Sequence, residues 1–145
     1  MTSIPTKLDI AIATYGPDGI QRVASCRLPR VQDVKYVVSW QQHEGAPIPD
    51  DLLRDDVEIY RFDGVGQSIN RNNAFNHCTS EWVMVGDDDL VFRPDGLVEF
   101  MDCLGRSKDV DFCYLQISAR KHDYISEGGD RSLMAFAKGL CGVWV

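Results

Sequence analysis

Glu81-Trp82-Val83-Met84-Val85-Gly86-Asp87-Asp88-Asp89 runs from an apolar, β-prone segment straight into three adjacent carboxylates. The first five residues predict a strand, and Gly86 marks its end. On the N-terminal side, Ser68 predicts the cap of a helix reaching about His77, and the alternating run Val57 to Phe62 predicts a strand. Before these, Val34 to Trp40 and Leu8 to Thr14 predict two more strands. The first of the four ends at Tyr15-Gly16-Pro17, after which Asp18 predicts the cap of a helix carrying Ile20, Val23, Ala24 and Leu28 on one face. Gly45 to Pro49 is a loop, and Asp50 begins a short helical turn. On the C-terminal side, Asp95 predicts the cap of a helix with Leu97, Phe100, Met101 and Leu104 on one face. A fifth strand is expected over 111–117, and one or two more over 132–145. Strands alternating with amphipathic helices specify an α/β fold with a mostly parallel sheet flanked by helices, built as a single domain over 1–145.

The length of 145 residues suits one domain with its own core. Fifteen basic against 22 acidic residues give a net charge of −7, the wrong sign for a phosphate-backbone binder, so no nucleic-acid partner is expected. An acidic chain still binds anionic ligands where a divalent cation or a local Arg neutralises them. The five cysteines are scattered without a C-x-x-C pair, and the three histidines are far apart, which argues against a zinc site or a disulfide framework. No signal-like leader or membrane-length apolar run is present, so a cytoplasmic location is expected, at most peripheral to the inner membrane face.

In a parallel α/β sheet, ligands bind beyond the carboxyl ends of the strands. That directs attention to Thr14-Tyr15, to Ser39-Trp40-Gln41 and to Asp87-Asp88-Asp89. Adjacent like charges repel and call for a compensating cation. Residues two apart in an extended segment share a side, so Asp87 and Asp89 are placed to face one hard cation, Mg²⁺ or Mn²⁺, while Asp88 points elsewhere and bonds to neighbouring backbone. A solvated acidic turn is the alternative. Gly64-Val65-Gly66-Gln67-Ser68-Ile69 fails the dinucleotide fingerprint at Ile69 and follows the third strand instead of the first. Its glycines still lead into a capped helix able to receive phosphate, with Arg71 as a fork of donors. Alternatively, Arg71 pairs with a nearby Asp.

Taken together these segments resemble glycosyltransferase family 2 enzymes of the GT-A fold. Thr14-Tyr15 is similar to the start of that family's pattern, Gly66 to Ala74 to its G-x-S-x-x-R-N-x-A segment, Val83 to Leu90 to its strand and D-x-D, and Arg93 to Leu97 to the P-D-x-L that follows. The resemblance covers residues 8 to about 104 and implies the N-terminal nucleotide-sugar-binding part of such an enzyme. It implies a nucleotide-diphospho-sugar donor, most often a UDP-sugar, a saccharide acceptor, and Mn²⁺ or Mg²⁺. By position, Thr14 and Tyr15 would border the base, Arg71 would contact base or phosphate, and Asp87 would lie by ribose or sugar. Asp89, with Asp87, would bind the metal, and Asn72 and Asp88 join the substrate-binding set.

Two departures stand out. Where the family has an acidic residue after the second strand, this chain has Gln41, whose neutral amide is expected to bond the base edge. The later half that supplies a general base and the acceptor site is expected to be missing, since Asp123, Glu127 and Asp130 do not match the base by spacing, and no catalytic residue is named. The apolar stretch near Val145 predicts a homo-oligomer. The other readings are a non-catalytic nucleotide-sugar-binding module and, less favoured, a nucleotidyltransferase, which would need a basic Gly-rich loop where Tyr15-Gly16-Pro17-Asp18-Gly19 is acidic.

Overall fold

The computed structural model describes residues 7–106. The strands expected over 111–117 and 132–145, the carboxylates Asp123, Glu127 and Asp130, and the apolar C-terminal stretch lie outside the described residues. Within the described residues the chain divides after Val91: residues 7–91 hold the four-stranded sheet, and residues 92–106 belong to a second unit.

Four strands form that sheet: β1 (Leu8–Tyr15), β2 (Val34–Gln41), β3 (Val57–Phe62) and β4 (Trp82–Asp87). All pairings are parallel, in the order β3-β2-β1-β4. Ile10, Ile12, Tyr36, Val37, Val38 and Trp40 are fully buried, as expected where helices cover a parallel sheet. Helix α1 (Gly19–Ser25) packs on β1, and α2 (Gln67–Asn76) packs on β1, β2 and β3. A short 3₁₀ turn occupies Asp50–Leu52. In the second unit, α3 (Pro94–Arg106) buries Leu97, Phe100, Cys103 and Leu104.

The ends of these elements differ from the expectations in ways that backbone chemistry explains. Helix α1 stops at Ser25 although Leu28 is buried, because Arg27 takes a left-handed φ of 50° and Pro29 follows. Asp18 precedes α1 without a side-chain cap; its main-chain carbonyl accepts from Gln21 and Arg22 instead. Gly66, at φ 123°, takes the cap position expected of Ser68, and its carbonyl accepts from Asn70 N. Helix α3 opens on Pro94, so Asp95 lies inside the first turn and pairs with Arg93. Strand β4 continues past Val85 through Gly86 and Asp87, carrying the first aspartate in extended conformation.

Buried polar groups anchor the sheet at its start. Asp9 is fully buried, and its carboxylate accepts from Thr79 N at 2.7 Å, Ser80 N at 3.1 Å and Ser80 Oγ at 2.6 Å. The turn that feeds β4 is thereby tied to β1. Lys35 Nζ stands 3.8 Å from the same carboxylate and 3.0 Å from Glu58.

Candidate functional site

The chain order β1, β2, β3 runs outward in one direction before β4 returns to the other side of β1, so the sheet reverses between β1 and β4. Such a reversal leaves a crevice beyond the carboxyl ends of the strands. Here it is a cleft of about 470 Å³, lined by Ala13 and Tyr15 from β1, Gln41 and Gln42 from the end of β2, Asp87, Asp88 and Asp89 from β4 and its turn, and Gly66, Gln67, Asn70 and Arg71 from the start of α2. Tyr15, Gln41, Arg71 and the aspartate trio, all anticipated from sequence, converge on it. Thr14 and Asn72 do not line it. Asn72 is exposed, and Thr14 is buried with its hydroxyl turned to Asp88.

The three aspartates have different surroundings. Asp88 accepts from Thr14 Oγ1 at 2.6 Å and from Arg22 Nε at 2.9 Å. Its side chain therefore bonds to β1 and α1 side chains, where neighbouring backbone was expected, while its main-chain carbonyl accepts from Cys26 Sγ at 3.2 Å. Burial, then the charges of Asp88 and Asp89, push the Cys26 thiol up to about 11, so it stays protonated and able to donate. Asp87 accepts from Arg71 Nη2 at 2.9 Å, the Arg–Asp pairing weighed from the sequence. Both partners are about half exposed, and such pairs contribute roughly 0–1 kcal/mol. That is little enough for a ligand to exchange the partners. Asp89 is exposed and has no ion-pair partner among the described residues.

The rim beside Tyr15 is braced. Gly16, at φ 78°, donates its N–H to Gln41 O at 2.9 Å and accepts from Trp40 Nε1 at 2.7 Å. Arg22 Nη2 bonds the Tyr15 carbonyl at 2.8 Å, and its guanidinium lies 5.1 Å from the centre of the Tyr15 ring. Tyr15 is 64% exposed, an aromatic residue at the edge of the cleft. Opposite, α2 begins without a side-chain cap and without an acidic residue in its first turn. Its leading N–H groups and the positive end of its dipole are therefore open to an anion.

The residues anticipated least from sequence are Asn70 and the buried state of Gln41. Asn70 donates from Nδ2 to Thr14 O at 2.8 Å, but its Oδ1 has no partner among the described residues. Gln41 Nε2 is likewise buried and unpartnered there. Asn70 stands one helical turn before buried Ala74, and that i, i+4 spacing was the available signal that it faces inward.

Among the described residues no cluster of three or more His, Cys, Asp or Glu could by itself hold a metal ion. A hard cation such as Mg²⁺ needs only one or two carboxylates when phosphate oxygens and water complete its shell. With Asp88 engaged by Thr14 and Arg22 and Asp87 by Arg71, only Asp89 of the trio stands without an ion-pair partner among the described residues, so a cation here would need Asp87 released from Arg71 and a ligand to complete its shell. No described helix is long and apolar enough to cross a membrane.

Residues 41–131, more than half of the chain, match the family model described as Glycosyl transferase family 2. The matched segment contains Gln41, the α2 segment and the aspartate trio. No curated protein and no solved structure matches the chain.

Proposed function

The chain belongs to glycosyl transferase family 2, and on that premise we propose that the cleft binds a nucleotide-diphospho-sugar, a UDP-sugar by preference, and transfers its sugar to a saccharide acceptor. The observation that carries this reading is the convergence of Arg71, the uncapped start of α2 and two separately placed carboxylates on one cleft at the sheet's reversal.

Each group has work it can do. Exposed Tyr15 offers an aromatic stacking face for a base. Arg71, now paired with Asp87, can turn its planar donors to the diphosphate. That exchange frees Asp87 to accept a ribose hydroxyl or take part in holding a cation. The N–H groups opening α2 add further donors to phosphate oxygens. Asp87 and Asp89 would hold Mn²⁺ or Mg²⁺, which supplies charge to stabilise the departing nucleoside diphosphate. Arg22 keeps Asp88 neutralised, so the trio does not present three uncompensated charges to an anionic ligand.

Calorimetric titration of UDP with and without Mn²⁺, repeated on Asp89→Asn, tests the site. Metal-dependent binding that the variant loses is the expected result. Binding that ignores both metal and Asp89 would remove the role given to that carboxylate. Binding without sugar transfer to any saccharide would favour a nucleotide-sugar-binding module.

A further inference from the structure

The ladder between β1 and β4 runs from Leu8–Trp82 to Ala13–Asp87 and stops there, while β1 stays paired to β2 through Thr14–Trp40 and Tyr15–Gln41. Past Ala13, therefore, Tyr15 and Asp88 are no longer held together by main-chain bonds between their strands. Side chains of β1 and α1 take over. Thr14 Oγ1 donates to Asp88 Oδ2 at 2.6 Å. Arg22 donates from Nε to the same Oδ2 at 2.9 Å and from Nη2 to the Tyr15 carbonyl at 2.8 Å. Gly19 lets α1 come close enough for this: a Cβ there would stand 2.5 Å from Thr14 Oγ1, and Arg22 lies one turn later on the same side of the helix. Tyr15 and Asp88 both line the cleft, and Arg22 does not.

We propose that Arg22 is a positioning residue for the transfer site: by bonding the Tyr15 carbonyl and Asp88 with one rigid guanidinium, it sets the span between the rim that receives the base and the turn that carries the cation-binding carboxylates. This deepens the donor-binding reading and rests on it. A nucleoside diphosphate has a fixed covalent length, and the gain from engaging both of its ends at once is lost when the two halves of the site stand at the wrong distance. A guanidinium suits this task because its N–H groups are coplanar and fixed in direction, so Nε and Nη2 hold their two acceptors in one geometry. A lysine ammonium would still neutralise Asp88 but, as a point charge on a flexible stem, would not fix that geometry. Arg22 thus acts through its neighbours and needs no contact with the ligand.

The test is calorimetric titration of the full chain with UDP, with and without Mn²⁺, on the unaltered protein, Arg22→Met and Arg22→Lys, with a thermal melt of each. The quantity read is the factor by which Mn²⁺ tightens UDP, since that factor depends on base and cation being held at one spacing. In both variants it should fall by about tenfold, the order set by one charge-assisted hydrogen bond. UDP affinity without Mn²⁺ should change by less than about threefold, because β2 still holds Tyr15. A factor preserved in Arg22→Lys would mean that charge alone matters, and overturns the proposal. An equal loss of UDP affinity with and without Mn²⁺ also overturns it, being the pattern of a merely structural residue. Arg22→Lys decides the matter if Arg22→Met fails to fold, and failure of both makes Arg22 a folding residue, against the proposal. No UDP binding, or no effect of Mn²⁺, in the unaltered protein is a different pattern: it overturns the donor reading, and this one with it.

Discussion

Replacing Asp88 by Asn asks whether three adjacent, chemically identical carboxylates have divided their work. The Asp88 carboxylate accepts from Thr14 Oγ1 at 2.6 Å and Arg22 Nε at 2.9 Å, with its side chain only 20% exposed. Hydrogen bonds to a charged acceptor contribute about 1.5–3 kcal/mol and neutral ones about 0.5–1.5 kcal/mol. The amide keeps the shape but surrenders the charge, so roughly 1 kcal/mol is lost per bond, about 2 kcal/mol for the two. Arg22 is 39% exposed, and screening of its share brings the expected loss to about 1–2 kcal/mol. With a urea slope of about 1–3 kcal/mol per molar, the unfolding midpoint should fall by roughly 0.5–1 M. Tryptophan fluorescence during urea unfolding reads this, alongside UDP titration of the same samples. Asp89→Asn should show the opposite pattern, with a stability change within about 0.5 kcal/mol, as for exposed residues without partners, and a large loss of UDP affinity. If Asp88→Asn left the midpoint unmoved and abolished binding, Asp88 would be a ligand contact and the division of labour would be wrong.

Two further substitutions probe the frame around the cleft. A Cβ at Gly19 would stand 2.5 Å from Thr14 Oγ1, so Gly19→Ala should cost about 1–3 kcal/mol, and less in a Thr14→Ala background where the hydroxyl is gone. Strict additivity in thermal melts would contradict that account. At the other end of the sheet, the Arg54 guanidinium bonds Asp56 and holds its carboxyl below the usual carboxylate range. The folded value lies under the unfolded one, so this contribution is complete above about pH 4 and fades as pH falls through the folded value. Asp56→Asn should therefore flatten the acid side of the stability profile, measured as urea midpoints from about pH 2.5 to 6; an unchanged acid limb would refute it.

Where burial and periodicity agree, the fold is legible from the amino acids. The four strands are dense in Val, Ile and Tyr and end at turns, and each is found within one or two residues of its expected bounds. Leu28 misleads because burial and helicity are separate properties: it fills the core from a loop. Ser68 misleads because its cap chemistry lies two residues past a glycine whose positive φ already turns the chain. For the site, residues carrying charge at strand ends were readable from position alone. What was not readable is which partner each charge takes. Asp88 finds Thr14 and Arg22 at separations of 74 and 66 residues, a choice that only the assembled sheet determines. Asn70 was half legible: its i, i+4 spacing to Ala74 marks the inward face of α2, but a polar run gives no sign of which partner its amide takes.

The buried Asp9 carboxylate acquires a meaning at the opposite end of the sheet. By gripping Thr79 and Ser80 it fixes where β4 begins, and β4 is paired to β1 from Leu8–Trp82 through Ala13–Asp87. Side chains alternate along a strand, so the number of residues between that grip and Asp87, the last residue of β4, decides, as odd or even, which face Asp87 takes. The segment from Ser80 to Asp87 is thus a ruler with a parity. Evolution is free to exchange the apolar residues on it for others of similar size. Adding or removing a single one would turn Asp87 to the other face and shift the turn at Asp88 and Asp89 with it, so lineages carrying this cleft should vary in the lettering of β4 but not in its length.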